Sequence, residues 1–384
     1  MRRPVIVDLA RSPFGRGKET GALHRVHPVD LVATLIEHLV AKHGLDGARI
    51  DDVLVGSSIP VAEQGGNVGR HAALAAGLPP SVPGMQVDRK CGSGQQAIEL
   101  AAHGIIAGTY DLVLAGGVEM MSVVPMRANR MGKDSHGPKL RARFPEGLPH
   151  QGVSAELISA RWGLTREAID AFALRSHERA AAFRDPFLVP VGDVVADEGI
   201  RHDTSLAKLA ALPPAFRDEE AARRWPEIDW RITAGNASQV SDGAALALVA
   251  SEETAAALGL RRRARIVATT VVGDDPILAL TAVIPATRRL LARSGMRLAD
   301  IGRFEVSEAF ASVVLAWAKE LEVPLEKVNV HGGAIAFGHP VGASGPRLLG
   351  SLVAALEESG ERFGLQVMCE GGGMSNAMLI ERLG

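Results

Sequence analysis

The sequence predicts an α/β fold of two similar halves, with a strand-poor segment inserted into the first. Three observations predict it. Short apolar runs alternate with helical patterns from Val5 to Ala115 and again from Ala244 to Glu381, the rhythm of sheets covered by helices. From about Met120 to Trp230 the chain is rich in Arg, Pro and His and has few strand-like runs. Finally, each half carries a cysteine at a strand end beside glycines: Lys90-Cys91-Gly92-Ser93-Gly94 in the first, Met368-Cys369-Glu370-Gly371-Gly372-Gly373 in the second. A duplication of this kind would put the two cysteines at equivalent ends of equivalent sheets.

The elements follow in order. Val5–Val7 reads as a strand, and Leu31–His43 as a helix with Leu31, Leu35, Leu39 and Val40 on one face. Asp52–Gly56 is the next strand, Asn67–Ala76 an Ala-rich helix, Met85–Asp88 a short strand into Cys91 and Gly94–Ala107 a long helix. Leu112–Ala115 is a buried strand closed by Gly116-Gly117. The insert holds helices over Ser154–Trp162 and Arg166–Phe183. Strands then resume at Ala244–Ala250 and Ala264–Val272. A helix over Ile284–Arg293, a strand over Phe304–Val306, a helix over Ala309–Leu321 and a strand over Val328–Val330 follow. The chain closes with a helix over Ser344–Leu356 and strands over Leu365–Glu370 and Ala377–Glu381. The domain boundary falls between residues 255 and 256: residues 1–255 form one half, with the loop region of about 120–230 inserted, and residues 256–384 the other.

Composition narrows the function. Of 384 residues, 47% are hydrophobic and 22% charged, the balance of a chain that buries a core. A net charge of −2 argues against a nucleic-acid partner, whose phosphates need a basic surface. The basic cluster Arg261-Arg262-Arg263 reads as a solvated face. No apolar run is long enough to span a membrane. The start has no apolar leader region, because Asp8 interrupts it. Two cysteines are too few for a disulfide scaffold or for a structural zinc site alone. A cytoplasmic enzyme with reduced thiols is the expectation, with no metal and no bound cofactor.

Cys91 stands between a strand and a helix start. A helix N-terminus carries partial positive charge and free N–H groups, an environment expected to lower a thiol's pKa. A lone cysteine is otherwise commonly an inert small hydrophobe. His339 lies in Gly338-His339-Pro340-Val341-Gly342-Ala343-Ser344-Gly345, locked between Gly and Pro ahead of a helix. An imidazole titrating near neutrality is the usual base for a cysteine nucleophile. No Gly-Lys-Ser/Thr follows, so this is not a phosphate loop. Cys369 precedes Gly371-Gly372-Gly373, whose N–H groups can converge on an oxyanion.

Taken together, four segments resemble the thiolase family: Asp88-Arg89-Lys90-Cys91-Gly92-Ser93-Gly94, Gly116-Gly117-Val118-Glu119-Met120-Met121-Ser122, the segment Gly338–Gly345 around His339, and Cys369-Glu370-Gly371-Gly372-Gly373. Thr233-Ala234-Gly235-Asn236-Ala237-Ser238 and Arg11-Ser12-Pro13-Phe14-Gly15 add to the likeness, which covers nearly the whole chain in the same order. The resemblance implies a five-layered αβαβα fold and a homodimer or homotetramer. It implies an acetyl-CoA C-acyltransferase that cleaves 3-oxoacyl-CoA with coenzyme A, or runs the reverse Claisen condensation, through an acyl-cysteine, as in fatty acid β-oxidation. Coenzyme A is then a substrate.

The same resemblance implies roles. Cys91 is the nucleophile and His339 the base that activates it and helps form an oxyanion hole. Cys369 moves the proton to and from the acetyl-CoA enolate. The N–H groups of Cys91 and Gly371 form the other oxyanion hole. Ser238, Ala234 and His150 flank the CoA arm, and Gln151, Ala279 and Phe310 line the acyl pocket. The chain also departs from the family. Ser307 in Ser307-Glu308-Ala309-Phe310 stands where an asparagine usually holds a water of the oxyanion hole; its hydroxyl can still hold one. His331 replaces another common asparagine. Ala279 and Gln151 stand where short-chain members often carry methionine, which implies room for a longer or bulkier acyl group. The competing readings are a short-chain biosynthetic acetyl-CoA acetyltransferase and a weakly active acyl-CoA-binding subunit. A decarboxylating ketoacyl synthase fits less well, because it lacks the second cysteine.

Overall fold

Apolar strands with polar turns between them order the chain into ten strands, seen in a computed structural model that describes residues 2–384. They are β1 (Pro4–Arg11), β2 (Gly15–Arg16), β3 (Asp52–Gly56), β4 (Gly84–Val87), β5 (Leu112–Met120), β6 (Ser241–Ser251), β7 (Ala264–Gly273), β8 (Arg303–Val306), β9 (Phe363–Glu370) and β10 (Met374–Arg382). The order in the sheet is β4-β3-β5-β6-β1-β7-β10-β9-β8, with β2 beside β6. The first half supplies β4-β3-β5-β6-β1 and the second β7-β10-β9-β8. They meet where β1 pairs with β7 through Val5–Arg265 and Ile6–Ala264 alone.

Both faces of each half are covered, which is why β5 and β6 are buried along their whole length. Helices Pro28–Lys42 and Val68–Ala75 close the outer face of the first half through Leu31, Leu35, Leu39 and Val68. Helices Ser93–Ala107 and Ser344–Ser359 lie between the halves. Their Ile98, Ala101, Leu349 and Leu352 share one core with Val113, Val249, Ile266 and Met378. Helices Val283–Ser294 and Ala311–Leu321 cover the outer face of the second half. The layers are therefore α/β/α/β/α.

The insert belongs to the first half in sequence and docks on the second in space. Leu157, Ile169 and Phe172, from its helices Gln151–Arg161 and Arg166–Ala182, pack into the core around Val313 and Trp317. It is tied back to β1 by Arg11, which is buried and holds Asp197 with both arms (2.7 and 2.8 Å) and Asp185 at 2.5 Å. Burial works against the guanidinium, but the two carboxylates outweigh it, so it stays charged.

Three expectations need correction. β5 runs on through Gly116-Gly117 to Met120, because its backbone still has β6 to pair with there. Val328–Val330 forms no strand, only a parallel bridge from Val328 to Phe304. The two cysteines are not equivalent. Cys91 follows β4, the parallel neighbour of β3, whose counterpart is the Val328 bridge beside β8. Cys369 is the next-to-last residue of β9, which corresponds to β5 because each runs parallel to one neighbour and antiparallel to the other. The basic triplet is no free patch either: Arg261 and Arg263 pair with Glu357, Arg263 also with Asp8, and Arg262 with Glu252.

Candidate active site

The turn that presents Cys91 is built by its neighbours. Lys90 adopts a left-handed conformation (φ +50°). Ser93 closes the turn: its hydroxyl accepts from the Arg89 N–H (2.8 Å) and donates to the Lys90 carbonyl (2.6 Å). The helix then starts at Ser93, two residues after Cys91.

The loop carrying His339 reaches the same place because two glycines allow it. Gly338 has φ +103°, and a Cβ there would collide with the Ser241 hydroxyl. Gly342 packs against the ends of β3 and β5, where a Cβ would lie 2.6 Å from the Gly56 carbonyl. The N–H of Gly342 donates to Glu119 (2.9 Å), whose buried carboxylate also accepts from Ser57, the N–H groups of Ser58 and Ile59, and Gln64. Glu119 thus clamps the histidine loop to the first half. Burial raises its pKa to about 7, against the donors at Ser58, Gln64, Gly342 and Ile59.

His339 is buried, and its Nδ1 lies 2.6 Å from the Ser344 hydroxyl, which donates its own proton to the Pro340 carbonyl (2.9 Å). That hydroxyl proton is used, so Nδ1 carries the imidazole proton. Nε2, which has no protein partner, is left as a bare acceptor. Burial, and then the Arg347 charge, push the imidazole down to about 4, so it is neutral at pH 7.

The Cys91 thiol departs from the expectation that the helix start lowers its pKa. Burial raises it strongly, with Cys369, Glu370 and Glu119 acting in the same direction. Only the Gly371 N–H, beside the sulfur, works against them. Desolvation outweighs the helix terminus because Cys91 is 9% exposed. The resting pair is thiol and neutral imidazole, not thiolate and imidazolium. Burial also pushes Cys369 up to about 11, opposed by the Ser307 hydroxyl and the Ala309 N–H.

Cys91, His339, Gly371, Ser238, Gln151 and Phe310 share the wall of one cavity of about 180 Å³. It is narrower than ordinary ligand pockets of about 300–1,000 Å³, so it holds a reacting end only. Ser58, Lys90, Met121, Met126, Gln239, Val240, Ala309 and Val341 complete it. Lys90, Met121, Ala309 and Val341 lie in segments that the sequence marks, whereas Ser58, Met126, Gln239 and Val240 carry no signal there. Glu119 did leave a signal, as a carboxylate inside an otherwise apolar strand. Two larger surface clefts, beside Arg161 and Asp275, share no residue with this cavity and hold none of the candidate groups.

Other expected site residues lie elsewhere. Ser307 is buried beside Cys369 rather than in the cavity wall, and its hydroxyl has no hydrogen-bond partner. His150 is exposed and caps the helix Gln151–Arg161, accepting from the Gly152 N–H (3.1 Å) and stacking on Phe216. Ala234 is exposed in a turn. That turn is fixed by Asn236, which accepts from the Thr233 N–H and donates to Asp170, so that the Ser238 N–H meets the Ala309 carbonyl. Ala279 does not line the cavity. It is 4% exposed and packed in the core beside Leu278 and Leu280, so its small side chain opens no space near Cys91. His331 stacks on Phe183 (3.9 Å) and pairs with Glu358 (2.8 Å), away from the cavity.

A buried thiol, a bare imidazole nitrogen, a second thiol and a backbone N–H aimed at the first sulfur define a cysteine centre suited to holding an acyl group. The chain belongs to the thiolase family: the "Thiolase, N-terminal domain" matches residues 4–253 and the "Thiolase, C-terminal domain" residues 260–382. The steroid 3-ketoacyl-CoA thiolase FadA6 of Mycobacterium tuberculosis is 41% identical over all of this chain and 95% of its own. The 3-ketoacyl-CoA thiolase FadA of Escherichia coli K12 is 40% identical over the full length of both. Among solved structures, the Bacillus anthracis acetyl-CoA acetyltransferase superposes with a TM-score of 0.88 at 37% identity, over 100% of this chain and 99% of that one.

Proposed function

We propose that the protein is an acetyl-CoA C-acyltransferase that cleaves 3-oxoacyl-CoA with coenzyme A. The observation that carries this reading is the unpartnered Nε2 of a neutral His339, on one cavity wall with a Cys91 thiol that the Gly371 N–H addresses. The relatives' names point the same way.

In the first half-reaction, His339 Nε2 takes the Cys91 proton as the sulfur attacks the 3-keto carbon. The oxyanion at the 3-keto oxygen is met by N–H donors at Cys91 and Gly371, and His339 helps hold the enolate oxygen of the departing acetyl-CoA. The bond between C2 and C3 breaks, and Cys369 gives its proton to the departing enolate of acetyl-CoA. In the second half-reaction, the Cys369 thiolate takes the proton of a second CoA thiol, which attacks the acyl-Cys91 thioester. Cys91 leaves and recovers its proton from His339. A covalent intermediate of this kind predicts ping-pong kinetics. Ser238 borders the CoA arm, and Gln151 and Phe310 the acyl end; coenzyme A enters as substrate, with no other cofactor. Two catalytic free thiols suit a reducing cytoplasm. A homodimer or homotetramer is the assembly this reading carries, which sedimentation can count.

Met126 and Val240, each about half exposed, form an apolar lip to the narrow cavity. This supports long or bulky acyl groups that leave the shaft there. Mixing with acyl-CoA should add one acyl mass at Cys91 in wild type and none in Cys91→Ala; wild type without an adduct overturns the reading. Cleavage of long-chain and ring-bearing 3-oxoacyl-CoA should match or exceed that of acetoacetyl-CoA. A strong preference for acetoacetyl-CoA would make it a short-chain enzyme instead.

A further inference from the structure

Strand alternation sends the side chain after Cys369 to the opposite face of β9. Cys369 therefore addresses the outer side, and Glu370 points between the halves toward the start of helix Ser93–Ala107. Its carboxyl packs on the backbone of Gly92, the residue following Cys91. A Cβ on Gly92 would collide with Glu370 Oε1 and lie 2.8 Å from Asn376 Oδ1. Both carboxyl oxygens of Glu370 are buried without a hydrogen-bond partner, and so is Asn376 Oδ1, whose amide donates to the Gly92 carbonyl (3.3 Å). The turn Cys369–Gly371 therefore surrounds Cys91 with a thiol, a carboxyl and an N–H.

We propose that Glu370 is a positioning residue of this reaction: lodged uncharged behind Cys91, it must stay protonated for Cys91 to react, and its ionisation sets the enzyme's alkaline limit. The inference rests on Cys91 being the acylated nucleophile.

The charged and titratable groups around Glu370 are few. Arg89 faces it from the segment before Cys91 and Glu99 from the helix; Cys91 lies across Gly92, and Cys369 precedes it on β9. Arg89 favours the carboxylate, yet burial prevails and raises Glu370 to about 8. Glu99 is pushed up well above its ordinary range, by burial first, and Glu370 acts on it in the same direction, as one carboxyl does on another. Glu370 is neutral at pH 7. Once ionised, it sets a negative charge behind the sulfur and behind the oxyanion that forms there. In a dry site such a charge opposes both.

The test is iodoacetamide alkylation of Cys91, located by peptide mass, from pH 7 to 10 in wild type, Glu370→Gln, Glu370→Met and Glu99→Gln. A thiolate reacts, so a thiol with a high pKa gains about tenfold in rate per pH unit. Wild type should follow that slope and then flatten as Glu370 ionises. Glu370→Gln and Glu370→Met, each checked by thermal melting, should rise without a break, and Glu99→Gln should keep the break. An unbroken rise in wild type overturns the proposal, as does a break that persists in either folded Glu370 variant. Acylation of Cys91 at pH 7 is scored separately: its absence in wild type overturns the nucleophile assignment, whereas acylation with an unchanged break overturns only the role of Glu370.

Discussion

At the scale of single residues, desolvation dominates. It keeps Cys91 a thiol, keeps His339 neutral and leaves Ser307 facing a sulfur instead of an open water site. Ser307→Ala should lower turnover about tenfold with little change in KM, since the hydroxyl acts on the Cys369 thiolate and not on bound substrate. The loss should stay below the 10²–10³ of a full oxyanion donor. Steady-state kinetics decide this, and a change in KM alone would place Ser307 in binding. A pH effect follows from His339 and His177, both pushed by burial to about 4 from an ordinary 6.5. Between those values the unfolded chain binds protons that the folded one refuses, so stability rises with pH across that window and is lost as pH falls from about 6.5 to about 4. Denaturation midpoints in urea should be clearly lower at pH 4.5 than at pH 7, and His177→Asn should remove part of the difference.

At the scale of elements, the site is where strand ends and helix starts are tied together. Glu119 at the end of β5 holds five donors from the β3 loop, Gln64 and the histidine loop. Glu119→Ala would strand them, at about 1–3 kcal/mol for each group left buried and unpaired. It should lower the melting temperature and slow Cys91 acylation by one to two orders of magnitude. A lower melting temperature with unchanged acylation would limit the clamp to stability. The segments that did this tying carried visible signals. The glycine-flanked Cys91, His339 and Cys369 stand out in the sequence because sharp turns and close approach demand glycine. Gln239, Val240 and Met126 carry no such signal, since nothing local distinguishes a cavity wall from a surface loop. Ala279 misled for the same reason: its place in the chain said nothing of its depth in the core.

For the whole molecule, the two halves share one inner core, filled by helices Ser93–Ala107 and Ser344–Ser359. The insert, from the first half, completes the outer core of the second. Expressed separately, residues 2–255 and 256–384 should each lack cooperative unfolding, and mixing them should restore it. Calorimetry of each fragment checks this, and two independent sharp transitions would contradict it.

The sequence alone determined the alternation of strands and helices, the strand-poor insert, the thiolase likeness and the three chemistry-bearing side chains. Those features reside in periodicity and in glycine-marked turns, which are local properties of a chain. Tertiary structure alone decided the protonation states of Cys91, His339, Cys369 and Glu370, the inequivalence of the two cysteine strands and the docking of the insert. Each depends on which groups far apart in the chain exclude water from one another, and no local pattern encodes that.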